Sequence, residues 1–432
     1  MRALLVLLRG RRELRLLLGA ALVSQIGDWA LSVGLAYYIY VLTGSTIASG
    51  LMLMAALLPS VLMGSLAGVF ADRWDRRRTM IIVSVLMAAG LLPLLLVHAA
   101  GEAWVIYLVA FTLNTLEQFF LPTEAALLPH LVDDAELGTA NVLNGQAKDV
   151  SRLIGSALGG LLVVSAGLHW LVIFDAGSFL FAAGLLAVLR DPRPAAVPFG
   201  APFGAPIVEQ VVAGRVGALM RDWREGASIA LRHRHLRGLL LFAAVTGIGQ
   251  GAFSTLFAPF VRSVLHADAP TYGVIVAVQA AGGIVGGFIA AVVAARFSPT
   301  AMFAWGSVAF GTIDLMLFCY PLVLGGIWPA IVLMLAVGLP SALSIAGLMT
   351  LFQSYTADRY RGRVFGALSA LGGAGALVGA IGSGALASVL GILPVICLQG
   401  PGHVVIGAWF GLRERHNVST DENQFLSVET AT

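Results

Sequence analysis

Long apolar runs broken by short charged segments dominate the 432-residue chain. A helix needs about 20 apolar residues to cross the hydrocarbon core of a bilayer. Twelve runs meet that length, at 16–41, 47–71, 79–98, 104–130, 141–166, 170–189, 237–261, 272–295, 300–321, 327–352, 364–389 and 392–411. Their Leu, Ala and Gly content suits helices that pack closely in lipid, where small residues let backbones approach. The pattern predicts an all-α polytopic membrane protein with twelve transmembrane helices. An even number of crossings leaves both ends of the chain on one side.

Charge fixes that side. Of the 26 Lys and Arg residues, 23 fall in one alternate set of segments: the N-terminus, the loop at 72–78, the stretch 190–237, Arg296, the loop at 359–363 and the tail from Arg413. The opposite set holds Arg262 alone, while Lys148 and Arg152 lie inside the fifth run. The positive-inside rule then places both termini in the cytoplasm, in a cell (plasma or inner) membrane. The N-terminal apolar stretch 3–8 is shorter than the roughly 7–15 residue core of a secretory signal, and Arg9, Arg11 and Arg12 follow it. It is read as a cytoplasmic lead-in that stays on the protein.

Composition narrows the function classes. Charged residues make up 11% of the chain and mean hydropathy is +0.89, against about 25% charged residues in a soluble domain. A soluble enzyme, a nucleic-acid binder and a disordered scaffold are excluded, and the net charge of +3 follows from topology. The two cysteines, Cys319 and Cys397, lie in apolar runs and suggest neither a disulfide framework nor a metal site. No phosphate loop, zinc spacing or nucleophile elbow occurs, so neither a cofactor, a metal nor an enzymatic activity is expected.

The two halves of the chain are related. Ile26-Gly27-Asp28 recurs as Ile248-Gly249-Gln250, Gly64–Arg73 as Gly287–Arg296, and Leu153–Gly160 as Leu377–Gly384, at offsets of 222, 223 and 224. Near-constant offsets indicate a duplicated six-helix unit, as in parallel-repeat transporters. The expected organisation is an N-terminal half at 1–189, a cytoplasmic linker at 190–236, a C-terminal half at 237–412 and a polar cytoplasmic tail at 413–432. The linker contains the tandem Pro198-Phe199-Gly200-Ala201, Pro202-Phe203-Gly204-Ala205. Its second part, Val216 to Leu236, has the Arg and apolar mixture of an amphipathic surface helix.

Ionisable groups inside spans are costly and mark cavities, pathways or partners. Asp28 lies near the middle of span one with Ser24, Gln25 and Ser32 on a shared polar face, and Gln250 takes its place in the second half. It is read as a carboxyl that binds and releases a proton, the alternative being a structural carboxylate held by neighbouring backbone. Glu117 and Glu124 stand seven apart in span four, about 10 Å along the axis on one face. Lys148, Asp149 and Arg152 cluster in span five, and counting turns from the connecting loop matches Glu124 with Lys148 and Glu117 with Arg152. That set forms either a relay or charged-substrate site, or a fixed intramembrane ion pair, with Glu117 favoured as the functional carboxylate. Asp314 and Asp175 are read as packing contacts, and Tyr37, Tyr38 and Tyr40 as an aromatic belt at the outer interface.

The loop after span two, Gly64-x-x-x-Gly68-x-x-x-Asp72-Arg73-x-x-Arg76-Arg77-Arg78, resembles the signature loop of the major facilitator superfamily. A narrower likeness, to its drug, macrolide and siderophore exporters, rests on Ser24–Trp29, Leu42–Ser45, Ala71–Arg78 and Arg361–Gly366. The span-five glycine motif reads Gly155-Ser156-Ala157-Leu158-Gly159-Gly160, with serine where those exporters carry proline. The resemblance implies two six-helix halves rocking about a central cavity, lined by spans one, four, seven and ten. It implies a cytoplasmic gate at Gly64, Gly68, Asp72, Arg73, Arg76, Arg77 and Arg78, closed in the outward-open state. The second loop has Ala295 where Asp72 stands, so the charged gate belongs to the first half. The expected function is proton-coupled efflux of an amphipathic small molecule by a monomer in the bilayer. An importer, uniporter or lipid flippase of the same fold is the alternative, and a membrane enzyme or non-transporting receptor a remote one.

Overall fold

Prolines and glycines set the helix boundaries. The computed structural model describes residues 7, 10–71, 74–133, 136–165, 167–190, 234–293, 296–356 and 361–412. The proposed amphipathic segment at 216–236 falls almost wholly outside these residues, as do most of the 190–236 linker, the 413–432 tail, Asp72 and Arg73. Gly64 and Gly68 are described by their helical backbone alone. The helices are α1 (Arg12–Thr43), α2 (Thr46–Ala71), α3 (Arg76–Gly90), α4 (Ala103–Leu127), α5 (Leu137–Ser165), α6 (Gly167–Val188) and α7 (Arg234–Ser263). Then follow α8 (Ala269–Val293), α9 (Pro299–Cys319), α10 (Trp328–Ala336), α11 (Gly338–Tyr355), α12 (Arg361–Leu390), α13 (Ile392–Ile396) and α14 (399–412).

Two expected single helices are broken. Pro340 has no amide for the Ala336 carbonyl, and the run predicted at 327–352 divides there into α10 and α11. Pro401 does the same to the Cys397 carbonyl, leaving a turn at 397–398 between α13 and α14. Gly44 ends α1 in the left-handed conformation (φ 62°), its amide donating to the Tyr40 carbonyl. Among the described residues ten helical segments are long and apolar enough to cross a membrane. The two expected spans outside that set are α2, of which Thr46–Ser60 is the continuously described stretch, and α5, which carries Lys148, Asp149 and Arg152.

The chain forms two compact units, Met1–Arg221 with Thr255–Ala277, and Asp222–Ser254 with Val278–Thr432. The core of the first holds Leu14, Leu17, Ile39, Met80, Leu91, Ile106 and Phe179, all buried. In the second, Phe303 meets Phe242 and Phe410 edge-on at 4.7 and 4.9 Å. Trp104, Phe288, Val292 and Trp305 are exposed.

Backbone-to-backbone packing is the same in both units. Within the first, a methyl at Gly155 would strike the Ile26 carbonyl, and one at Gly159 the Ala30 carbonyl, so α5 lies directly on α1. Within the second, Gly379 of α12 lies on the Ile248 carbonyl of α7. Ile26 and Ile248, and Gly155 and Gly379, are the paired positions of the sequence repeat. Gly160 instead receives the start of α8, facing the Ala269 carbonyl and Gly273 inside the first unit.

Two of the tyrosines at the end of α1 make contacts within the first unit. Tyr37 is buried, donates its hydroxyl to the Ala267 carbonyl at 3.2 Å and lies against Tyr272. The Tyr40 hydroxyl is 2.8 Å from Ser263 Oγ. Between them Asp268 opens α8, where the Thr271 hydroxyl (2.6 Å) and amide (3.1 Å) donate to it and hold its carboxyl below the ordinary range.

Candidate functional site

Three helix faces of the first unit meet around a cavity of about 570 Å³. From α1 come Gln25, Asp28, Trp29 and Ser32, spaced at three, four and seven residues so that one helical face carries them all. From α4 come Asn114, Glu117 and Leu121, and from α5 Lys148, Asp149 and Arg152. Apolar walls are supplied by Leu31, Leu35, Met52, Met87, Ala110 and Leu113. The α1–α5 contact sets the register, since Gly155 and Gly159 seat α5 on α1 and Ser151 Oγ donates to the Leu22 carbonyl at 3.0 Å. That contact carries Arg152 over the face of Trp29, its guanidinium 5.2 Å from the ring centroid. Such a cation–π contact is worth about 0.5–2 kcal/mol, rising as water is excluded.

The charges fall into two groups. Lys148 on the cavity wall reaches back to Glu124, its Nζ 3.9 Å from Oε2, while its charge also bears on Glu117. Counting turns from the connecting loop matches the same pair. Glu124 itself is 1% exposed and stands behind the wall rather than in the lining, so its expected place in the cavity is corrected to that of an anchor for Lys148. Arg152, matched with Glu117 in the sequence, stacks on Trp29 and has Asp149 as a neighbouring charge.

Asp28 has different neighbours. The ionisable groups that bear on it are carboxyls, Asp175 and Glu117. Asp175, read from the sequence as a packing contact, is fully buried in α6 and presses on α1 at Gly27, where a methyl would meet its Oδ1 and Ser178 Oγ. Ser178 Oγ donates to Asp175 Oδ1 at 3.1 Å, and Oδ2 has no hydrogen-bond partner among the described residues. The glycine beside Asp28 was the available signal, since it opens the notch that Asp175 fills. Asn114 and Trp29, neither of them among the expected cavity residues, also line it.

The remaining expected residues lie elsewhere. Gln250 is exposed on α7 in the second unit, its Nε2 donating to Ser254 Oγ at 3.3 Å. Of the gate arginines, Arg77 donates from Nε to the Leu186 carbonyl at 2.9 Å and from Nη2 to the Ala187 carbonyl, satisfying acceptors at the C-terminus of α6. Arg76 Nη1 is 3.3 Å from His130 Nδ1 beyond the end of α4. Arg78 contributes its backbone amide to the Asp75 cap of α3, at 2.7 Å. Among the described residues no group of three or more His, Cys, Asp or Glu is placed to hold a metal. A second cavity, about 290 Å³ between α9 and α14, has Trp305, Val308, Leu412, alanines and glycines on its walls and no charged side chain.

The Lys148–Glu124 pair supports a direct test. Lys148→Met leaves Glu124 buried without its cation. The expected cost is about 1–2 kcal/mol, less than the roughly 3–5 kcal/mol of a fully buried pair, because the Lys148 side chain is already 42% exposed. Thermal unfolding in detergent should show the loss, and Glu124→Gln added to Lys148→Met should recover most of it. Equal melting of wild type, single and double variants would remove the pair from the account.

Comparison with known proteins gives one family. Residues 10–425 match the profile of the transmembrane secretion effector family, MFS_3. The chain is 25% identical over 93% of its length to YfiS, an uncharacterised MFS-type transporter of Bacillus subtilis, covering 93% of it. It is 27% identical to the multidrug efflux pump Tap of Mycolicibacterium fortuitum, over 88% of this chain and 91% of Tap. It is 22% identical to macrolide efflux protein A of Streptococcus pyogenes, over 62% of this chain and 63% of that protein. Among solved structures, the nucleoside transporter NupG shares the fold with a TM-score of 0.73 at 12% identity, covering 93% of this chain and 99% of NupG. A bacterial homologue of the iron transporter ferroportin, in an inward-facing state, does so at 0.72 and 13% identity, covering 92% and 98%. The signature-loop and exporter-branch likeness of the sequence, the multi-span helical fold and the profile match over nearly the whole chain agree: the protein is a membrane transporter, not an enzyme, and belongs to the transmembrane secretion effector family of MFS-type transporters.

Proposed function

We propose that this chain exports an amphipathic small molecule in exchange for protons, working as a monomer in the cell membrane with both termini cytoplasmic. The observation that carries the proposal is the composition of the first-unit cavity. Its roughly 570 Å³ lies within the usual 300–1,000 Å³ of small-molecule sites. Apolar walls and Trp29 suit a lipophilic body, while Lys148, Arg152, Glu117 and Asp28 offer both signs of charge to a polar substituent. The efflux activities in the names of Tap and macrolide efflux protein A favour this direction of transport. In this reading the fold is a twelve-span 6 + 6 arrangement, supported by the sequence repeat and by the matching Ile26–Gly155 and Ile248–Gly379 contacts.

Alternating access then follows if protonation changes the relative stability of two states, which requires different proton affinity in each. Asp28 and Glu117 are the proposed proton carriers, acting in series so that neither suffices alone, and Gln25 a substrate contact. The loop at Asp72 and Arg73, preceded by Gly64 and Gly68, is the proposed cytoplasmic gate. Arg76 and Arg77 give it a footing through His130 and the α6 carbonyls. A lysolipid flippase is the second reading, favoured by the coexistence of cations and carboxyls at one wall of an apolar cavity.

Everted membrane vesicles with a pH-gradient dye test the proposal against a panel of amphipathic antibiotics and siderophores. Proton release on adding one compound, abolished by an uncoupler, is the expected result. Inserted protein that answers none of them, while moving a fluorescent lysolipid between leaflets, would replace export by the flippase reading.

A further inference from the structure

We propose that Cys319 and Cys397 are a redox pair that closes to a disulfide, a staple between the end of α9 and the turn that separates α13 from α14. The chain has two cysteines in 432 residues, 78 positions apart, and folding brings their sulfurs to within 3.3 Å of each other. A space-filling role is met by any small residue at either position, and does not collect the whole thiol content of the chain at one point. Both side chains are partly exposed.

The backbone at each end tolerates closure. Cys319 is the last residue of α9, ahead of the Tyr320–Leu322 turn, and Cys397 stands in the break that Pro401 imposes. Neither residue is locked in an uninterrupted helical ladder, so rotation about the side-chain bonds can bring the sulfurs to a bonding separation of about 2.05 Å. A metal is the weaker occupant, since no third His, Cys, Asp or Glu completes a ligand group with them among the described residues. Both sulfurs belong to the second unit, so the staple stiffens that unit from within.

The oxidant is a small disulfide reaching the thiols from solution. One cysteine, its proton lost, attacks a sulfur of that disulfide and expels one thiolate. The other cysteine, deprotonated in turn, attacks the mixed disulfide and expels the second thiolate. One external S–S bond breaks and the Cys319–Cys397 bond forms. The two cysteine sulfurs are oxidised, and their protons end on the two thiols released.

The test uses the full chain in detergent, reduced, freed of reductant, and treated with oxidised glutathione. After acid quenching, denaturation and labelling with a polyethylene-glycol maleimide, the expected stoichiometry falls from two labels per chain to none. It returns to two after reduction, and intact mass before labelling drops by two hydrogens. Cys397→Ser should instead hold a single glutathionyl group. Two labels after oxidation, two glutathionyl groups on wild type, or disulfide-linked dimers on a non-reducing gel would each overturn the proposal.

Discussion

Asp28→Asn is expected to reduce the gradient-driven concentration ratio of a transported compound to unity while leaving the protein inserted and able to bind that compound. One pH unit across the membrane is worth about 1.4 kcal/mol per proton, or a tenfold ratio at steady state. Asparagine keeps the shape and hydrogen-bonding capacity of the side chain but carries no exchangeable charge, so the tenfold ratio has no source. Its neighbours single this carboxyl out for the proposed role. Glu124 has Lys148 within 3.9 Å, and the charge of Lys148 also bears on Glu117. Asp28 has the carboxyls Asp175 and Glu117 as its charged neighbours and opens on the cavity. Transport assayed at several imposed pH gradients decides the matter. A slope of ratio against gradient that is unchanged in Asp28→Asn would move coupling to Glu117 or out of this cavity.

Gly159→Val is expected to have the largest effect on the fold itself. A first carbon at this position already overlaps the Ala30 carbonyl and backbone of α1, and valine adds two more. Forcing groups into a packed contact costs typically about 1–3 kcal/mol, and backbone has less room to yield than side chain. The expected outcome is a loss of about 3 kcal/mol or more, seen as low recovery of folded protein in detergent and early thermal unfolding. Gly177→Val is the control, since nothing lies within 4 Å of a carbon placed there. If both variants melt alike, the seating of α5 on α1 does not carry the stability assigned to it.

Much of this is legible in the sequence. Apolar run length located the helices, because membrane thickness imposes a length that few other constraints imitate. The Glu124–Lys148 pair was reachable by counting turns from a short loop, since helical rise is constant. Helix breaks at Pro340 and Pro401 were also present in the sequence, but their positions within apolar runs concealed them. What stayed hidden depends on which helices become neighbours across long separations. Asp175 meets Gly27 through α6 and α1, Tyr37 finds Ala267 230 positions away, and Cys319 finds Cys397. No local period encodes these meetings. Glu124 shares a helical face with Glu117 but misses the cavity, because cavity depth is set by neighbouring helices rather than by its own.

The Ile26–Gly155 contact and its counterpart Ile248–Gly379 have one participant that is chemically anonymous. Any residue can present a carbonyl oxygen, whereas only glycine leaves space opposite it. Mutation is therefore tolerated unevenly across such a joint: the glycine helix is held to its spelling, and the carbonyl helix may change its letters as long as its backbone stays in place. That freedom reaches the positions beside the joint, where the first copy carries Asp28 and the second Gln250. Two copies of one hinge plate can thus serve different trades, one holding an acid and the other a neutral amide, without either having to be cut anew.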